Sequence, residues 1–127
     1  MSRPSIESKI LSLNTVGNGN TSTAYIRGTV LGKDSADNKA RIDTLMYAPV
    51  YFISHERQDT ATAFSDMQGT FEKHLPAGTY DIVVKYVAYT ALKIKNVPVA
   101  PGELKELDVL LGQQGRVMVE SVVDAKN

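Results

Sequence analysis

The chain has 127 residues, enough for one domain with a sizeable core. Its 14 basic and 14 acidic side chains cancel, so no general field draws it to nucleic acid or anionic lipid. It has no cysteine, which excludes disulfides and thiol chemistry, and no apolar run approaches the roughly 20 residues of a membrane-spanning helix.

Residues 1–23 open with Ile6, Ile10, Leu11 and Leu13. These suit a short helix or an added edge strand, and the strand is the better fit. From Val16 to Thr23 the composition turns to Gly, Asn, Ser and Thr, the makeup of a flexible connector. Ala24 to Leu31 alternates, with Ile26, Gly28 and Val30 on one face and Tyr25, Arg27 and Thr29 on the other, as a half-buried strand does. Gly32 to Met46, GKDSADNKARIDTLM, lacks that alternation and reads as one long loop. Strands follow at Pro49 to Ser54, with Val50 and Phe52 inward and Tyr51 and Ile53 outward, and at Thr60 to Ser65.

The stretch from Ser65 to Tyr89 is the most strongly punctuated. Asp66 and Gly69 bracket a tight turn, where Gly supplies a positive φ and Asp bonds the backbone two residues on. A run from Phe71 ends at Leu75-Pro76-Ala77-Gly78, a second reversal. Tyr80, Ile82, Val84 and Tyr86 then alternate with Asp81 and Lys85. The pattern predicts an antiparallel hairpin. Further strands are expected at Ala91 to Lys95 and Leu104 to Leu111, with Pro98 and Pro101-Gly102 breaking the approach to the latter. Arg116 to Val123, RVMVESVV, is again strand-like. It suits a sheet edge or, if left open, strand addition by another chain.

The residues Ser65-Asp66-x-x-Gly69-x-Phe71 and Leu75-Pro76-Ala77-Gly78-x-Tyr80-x-Ile82-x-Val84 resemble the core of carboxypeptidase regulatory-like domains. Those are transthyretin-like (prealbumin-like) β-sandwiches related to the B-type repeats of surface adhesins. The resemblance runs from Ile26 to Leu111 and takes in Ile26-x-Gly28-x-Val30, Ala48-x-Val50-x-Phe52, Val97-x-Val99-x-x-Gly102 and Leu107-x-Val109-x-Leu111. Lys73 stands where the family usually has an aliphatic residue; its stem can pack while the ammonium reaches water. The resemblance implies an all-β, Greek-key sandwich of about seven strands over residues 24–112. Residues 1–23 are then an N-terminal extension and 113–127 a C-terminal strand or tail. It also implies a bacterial extracytoplasmic setting, periplasm or cell surface, on a module appended to peptidases, adhesins or outer-membrane receptors. The chain shows no charged-then-apolar secretory leader.

The pattern's fixed residues are turn and core residues, so they specify a fold and no reaction. His55 and His74 are the only histidines and are not at metal-ligand spacing; both read as isolated surface residues. The prealbumin-like fold does host enzymes. The close-set histidine pair of intradiol dioxygenases, the Tyr-Arg-Gly-Ser tail of hydroxyisourate hydrolases and the H-E-x-x-H of metallopeptidases are all missing from this sequence. A non-catalytic role is therefore expected. The Lys–Asn cross-link of some adhesin relatives has Lys33 and Asn96 as conceivable partners, an ordinary solvated lysine being the plainer reading. Asp34, Asp37, Asn38 and Asp43 are candidate calcium ligands, since hard cations want several oxygens, although their spacing departs from the known calcium loop. Tyr25, Tyr51 and Tyr89, with Ile53, Val83 and Val87, are expected to point outward. They form a candidate surface for a glycan or a protein partner unless a terminal segment covers them.

Overall fold

Alternating apolar residues build the strands, and the faces they bury decide how the strands stack. The computed structural model describes residues 7–34, 41–114 and 120–125. These form β1 (Lys9–Asn18), β2 (Thr23–Asp34), β3 (Arg41–Thr44), β4 (Pro49–Ser54), β5 (Thr60–Phe64), β6 (Thr70–Pro76), β7 (Gly78–Val84), β8 (Leu92–Val99), β9 (Glu103–Gly112) and β10 (Ser121–Asp124). The first sheet runs β1-β9-β2, and the far edge of β2 is shared by β6 along Thr23–Thr29 and β3 along Leu31–Asp34. The second sheet runs β10-β8-β7-β4-β5. The chain is an all-β sandwich. Its core includes Ile26, Val30, Phe52, Ile82, Ile94 and Leu107, all at most 1% exposed. Each such burial is worth roughly 1.5–3 kcal/mol over exposure.

Both spare terminal segments become edge strands. β1 pairs antiparallel with β9, and β10 pairs in parallel with β8 from Leu92 to Lys95. Among the described residues, neither lies over a sheet face. The part of the RVMVESVV run before Glu120 falls outside the described residues. A buried knot joins the two ends. The Ser8 hydroxyl donates to the Thr90 carbonyl at 2.6 Å and accepts from the Gly112 N–H at 2.9 Å. The Ser8 N–H reaches the Ser121 hydroxyl at 3.0 Å.

Four expectations are corrected. First, β6 and β7 do not form a hairpin. β6 pairs β2 in the first sheet, while β7 lies between β4 and β8 in the second. The Pro76-Ala77-Gly78 link is a step between layers. The Tyr80 hydroxyl donates to the Pro76 carbonyl at 2.6 Å, and the Glu56 carboxylate accepts the Thr79 N–H at 3.0 Å. The corner thus satisfies its backbone groups without a ladder. β7 also ends at Val84, leaving Tyr86 in the following loop.

Second, the supposed connector after Val16 is strand as far as Asn18, which pairs Glu103. Register shifts at Ile10/Ser12 and Thr15/Gly17 break the alternation that would have announced it. Third, the long loop at Gly32 to Met46 contains the end of β2 and the whole of β3, paired from Leu31↔Thr44 to Asp34↔Arg41. All four β3 residues are exposed, so the strand carries no burial pattern. Fourth, Pro98 lies inside β8 rather than breaking the approach to β9. It pairs Thr79 of β7 on one side and, past the end of β10, occupies the sheet edge on the other. Proline is tolerated at such an edge because no ladder donor is needed there.

Candidate functional site

One end of the sandwich gathers the connections β3–β4, β5–β6 and β7–β8 together with Gln114 and Glu120. They meet there because β4 begins where β5 and β7 end, through the pairs Pro49↔Phe64 and Val50↔Val84. Buried Ser65 pins the first two loops. Its hydroxyl donates to the Leu45 carbonyl at 2.6 Å and accepts the Ala48 N–H at 2.8 Å. Its own carbonyl accepts the Tyr47 N–H at 2.9 Å. The Asp66–Gly69 turn forms as the sequence predicts, with Gly69 at φ 80°. The Asp66 carboxylate accepts the Thr70 hydroxyl and the N–H groups of Gln68 and Thr70, bonds that hold it below the usual carboxylate range.

Two residues here hold a left-handed backbone without being glycine: Tyr47 at φ 59° and Ala88 at φ 70°. That conformation costs an L-residue roughly 1–2 kcal/mol and persists only where neighbours over-determine it. Tyr47 is held by Ser65, and the Ala88 carbonyl accepts the Gln114 N–H at 2.9 Å. Between them lies an open groove of about 830 Å³, walled by Tyr47, Pro49, Tyr86, Val87 and Tyr89. The groove is mainly apolar, with Lys85 and Glu120 as its charged members. Val87 is 84% exposed and Tyr47 63%, and Met46 and Met67 on the adjoining loops and Phe64 at the end of β5 are exposed as well. Exposed apolar side chains gathered at one end of a sandwich point to an interaction site more than ones scattered singly.

The expected tyrosine platform does not exist as one surface. Tyr25 lies on the outer face of the first sheet, its hydroxyl donating to Glu72, a bond that raises its pKa, and its ring 4.8 Å from that of His74. Tyr51 lies on the second sheet opposite Val83, with the Lys85 ammonium 5.8 Å from its ring centre. Tyr89 belongs to the β7–β8 loop and packs edge-on against Tyr86 at 5.8 Å. Burial, then the Asp34 and Asp43 carboxylates, push its hydroxyl pKa up. Strand parity gives the sides of Tyr25 and Tyr51 on their own sheets but not which sheet each belongs to, and Val83, expected on the exposed face, is only 7% exposed. Tyr47 in the groove, and exposed Met46, Phe64 and Met67 at the same end, were not singled out from the sequence. The available signal was apolar side chains abutting turn residues, where burial is not expected.

Of the calcium candidates, Asp34 and Asp43 stand on facing strands β2 and β3, both within electrostatic reach of Tyr89. Asp37 and Asn38 lie outside the described residues. Among the described residues no group of three or more His, Cys, Asp or Glu side chains is placed to hold a metal. Lys33 and Asn96 fall in different sheets, and the Asn96 amide donates to Asp124 at 3.0 Å.

The histidines are not isolated. His55 Nε2 lies 2.8 Å from Asp81 Oδ1, which also accepts the Asn96 N–H at 3.0 Å. Burial raises the Asp81 carboxyl, but His55 and Asn96 outweigh it and hold the pKa low. With the Asn96–Asp124 bond this chain of contacts fastens β10 to the sheet. It sits on the second sheet, whereas His74 stacks on the first. Among the described residues, no helix is long and apolar enough to cross a membrane. No family model, curated protein or solved structure matches this chain.

Proposed function

We propose that the chain is a non-catalytic structural or protein-interaction module, of the carboxypeptidase regulatory-like, transthyretin-like kind, working in an extracytoplasmic setting. The observation that carries this reading is the groove end itself. Tyr47 and Ala88 are held in a costly backbone conformation beside exposed Val87, with no histidine or acid cluster among the groove's walls. A sandwich that spends stability to keep apolar loops in water supplies a docking surface rather than a reaction centre.

The test is recovery of crosslinked partners from cells that make the protein, comparing wild type with a Met67→Lys/Val87→Lys variant of unchanged circular dichroism. The reading expects specific adducts that the variant loses. Adducts unchanged by the variant would refute it, as would turnover dependent on His55. A second reading, glycan binding, now rests on exposed Tyr47 rather than on the grouping of Tyr25, Tyr51 and Tyr89. Glycan-array binding abolished by Tyr47→Ala would support it, and a flat array would remove it.

A further inference from the structure

The groove's charges are arranged in a way that a copy of the same surface would match. Lys85 follows β7, beside Pro49 of β4, whose carbonyl accepts its N–H at 3.3 Å. Glu120 immediately precedes β10, where the Ser121 N–H bonds the Ala91 carbonyl at 2.9 Å. In the order β10-β8-β7-β4, the cation and the anion are thus two strands apart, about 10 Å at the usual strand spacing. Apolar side chains fill the interval: Tyr86, Val87 and Ala91 line the same groove. A two-fold axis through the groove sets each Lys85 against the other copy's Glu120 and stacks the apolar middle on itself, which is the self-complementarity an isologous interface requires.

Two further observations agree with this arrangement. Exposed Met46, Tyr47, Phe64, Met67 and Val87 give this end apolar surface of the kind the core of an interface between copies uses. The chain's formal net charge is zero, so two copies approach without long-range repulsion. We propose that this end of the sandwich is a two-fold self-association surface whose partner is a second copy of the chain. The inference rests on the interaction-module reading and names the partner.

Sedimentation of the full chain across a micromolar to millimolar range tests it. Wild type is expected to show a monomer–dimer equilibrium, weakened about tenfold or more by Val87→Lys. Lys85→Glu and Glu120→Lys are each expected to weaken it, and the double exchange Lys85→Glu/Glu120→Lys to restore it. Circular dichroism confirms folding of each variant. A wild type that stays monomeric throughout overturns the proposal, as does a dimer indifferent to Val87→Lys or a double exchange no better than either single change. If the chain is monomeric yet heterologous adducts depend on Met67 and Val87, self-association falls while the interaction-module reading stands.

Discussion

The Leu107 carbonyl oxygen occupies the place a β-carbon on Gly28 would take, 1.5 Å from it. The two residues pair in the parallel β2–β9 ladder. There the Asp108 carboxylate accepts the Thr29 N–H at 3.0 Å and the Ser12 hydroxyl at 3.1 Å. Because the obstacle is backbone, no rotamer change relieves it. Gly28→Ala is expected to destabilise the fold by at least about 3 kcal/mol. Gly17→Ala, whose β-carbon would meet Leu104 at an ordinary 3.5 Å, should stay within about 0.5 kcal/mol. Urea unfolding of the pair decides; equal midpoints would contradict the observed register.

Ala88 offers the reverse experiment. It is exposed and left-handed at φ 70°, so a glycine removes strain and sacrifices no packing. Ala88→Gly should raise stability by about 1 kcal/mol. A lower melting temperature would mean that the loop is not held in this conformation in solution.

Lys105 is the buried cation of β9, with its side chain 9% exposed and that of Glu103 11%. Its ammonium donates to the Pro98 carbonyl and stands 3.6 Å from the Glu103 carboxylate. Pro98 removes a donor from the β8 edge and Lys105 covers an acceptor, which together discourage strand addition there. Lys105→Ala leaves the Pro98 carbonyl without its donor and removes the cation beside Glu103, whose carboxylate keeps its bonds from Thr15 and Ala100. It should cost about 3 kcal/mol. A change under about 0.5 kcal/mol would show the pair to be solvated.

Acid should unfold the chain through its depressed carboxylates, Asp66, Glu103 and Asp81. Burial raises Glu103, but bonds from the Thr15 hydroxyl and the Ala100 N–H, with Lys105 nearby, outweigh it and leave the pKa low. Asp81 is also depressed. A carboxyl depressed in the folded state contributes stability above its unfolded pKa near 4. That contribution is lost as pH falls through the lower folded value. Stability should therefore decline below about pH 5, and Asp81→Asn should make that decline shallower. An unchanged acid limb would remove Asp81 from the account.

The sequence carried what is local. Val50/Phe52 in β4 and Ile26/Gly28/Val30 in β2 announce their buried faces by alternation, and Asp66-x-x-Gly69 announces its turn. The layer of each strand is set by partners far along the chain. Pro76-Ala77-Gly78 reads alike as a hairpin turn and as a step between sheets. The short exposed β3 carries no pattern to read. His55 and Asp81 are 26 residues apart, and nothing local links them. The groove was hidden for the same reason: three loops, none distinctive alone, meet only once the sheets stack.

The claim that the Tyr47–Val87 end is where this molecule engages others is tested most directly by site-specific photocrosslinking in cells that make it. A photoreactive residue at Val87 or Met67 should give discrete adducts, while one at Asn14 on β1 or Arg27 on β2 should give none. Adducts at the two sheet positions alone, or equally at all four, would contradict it.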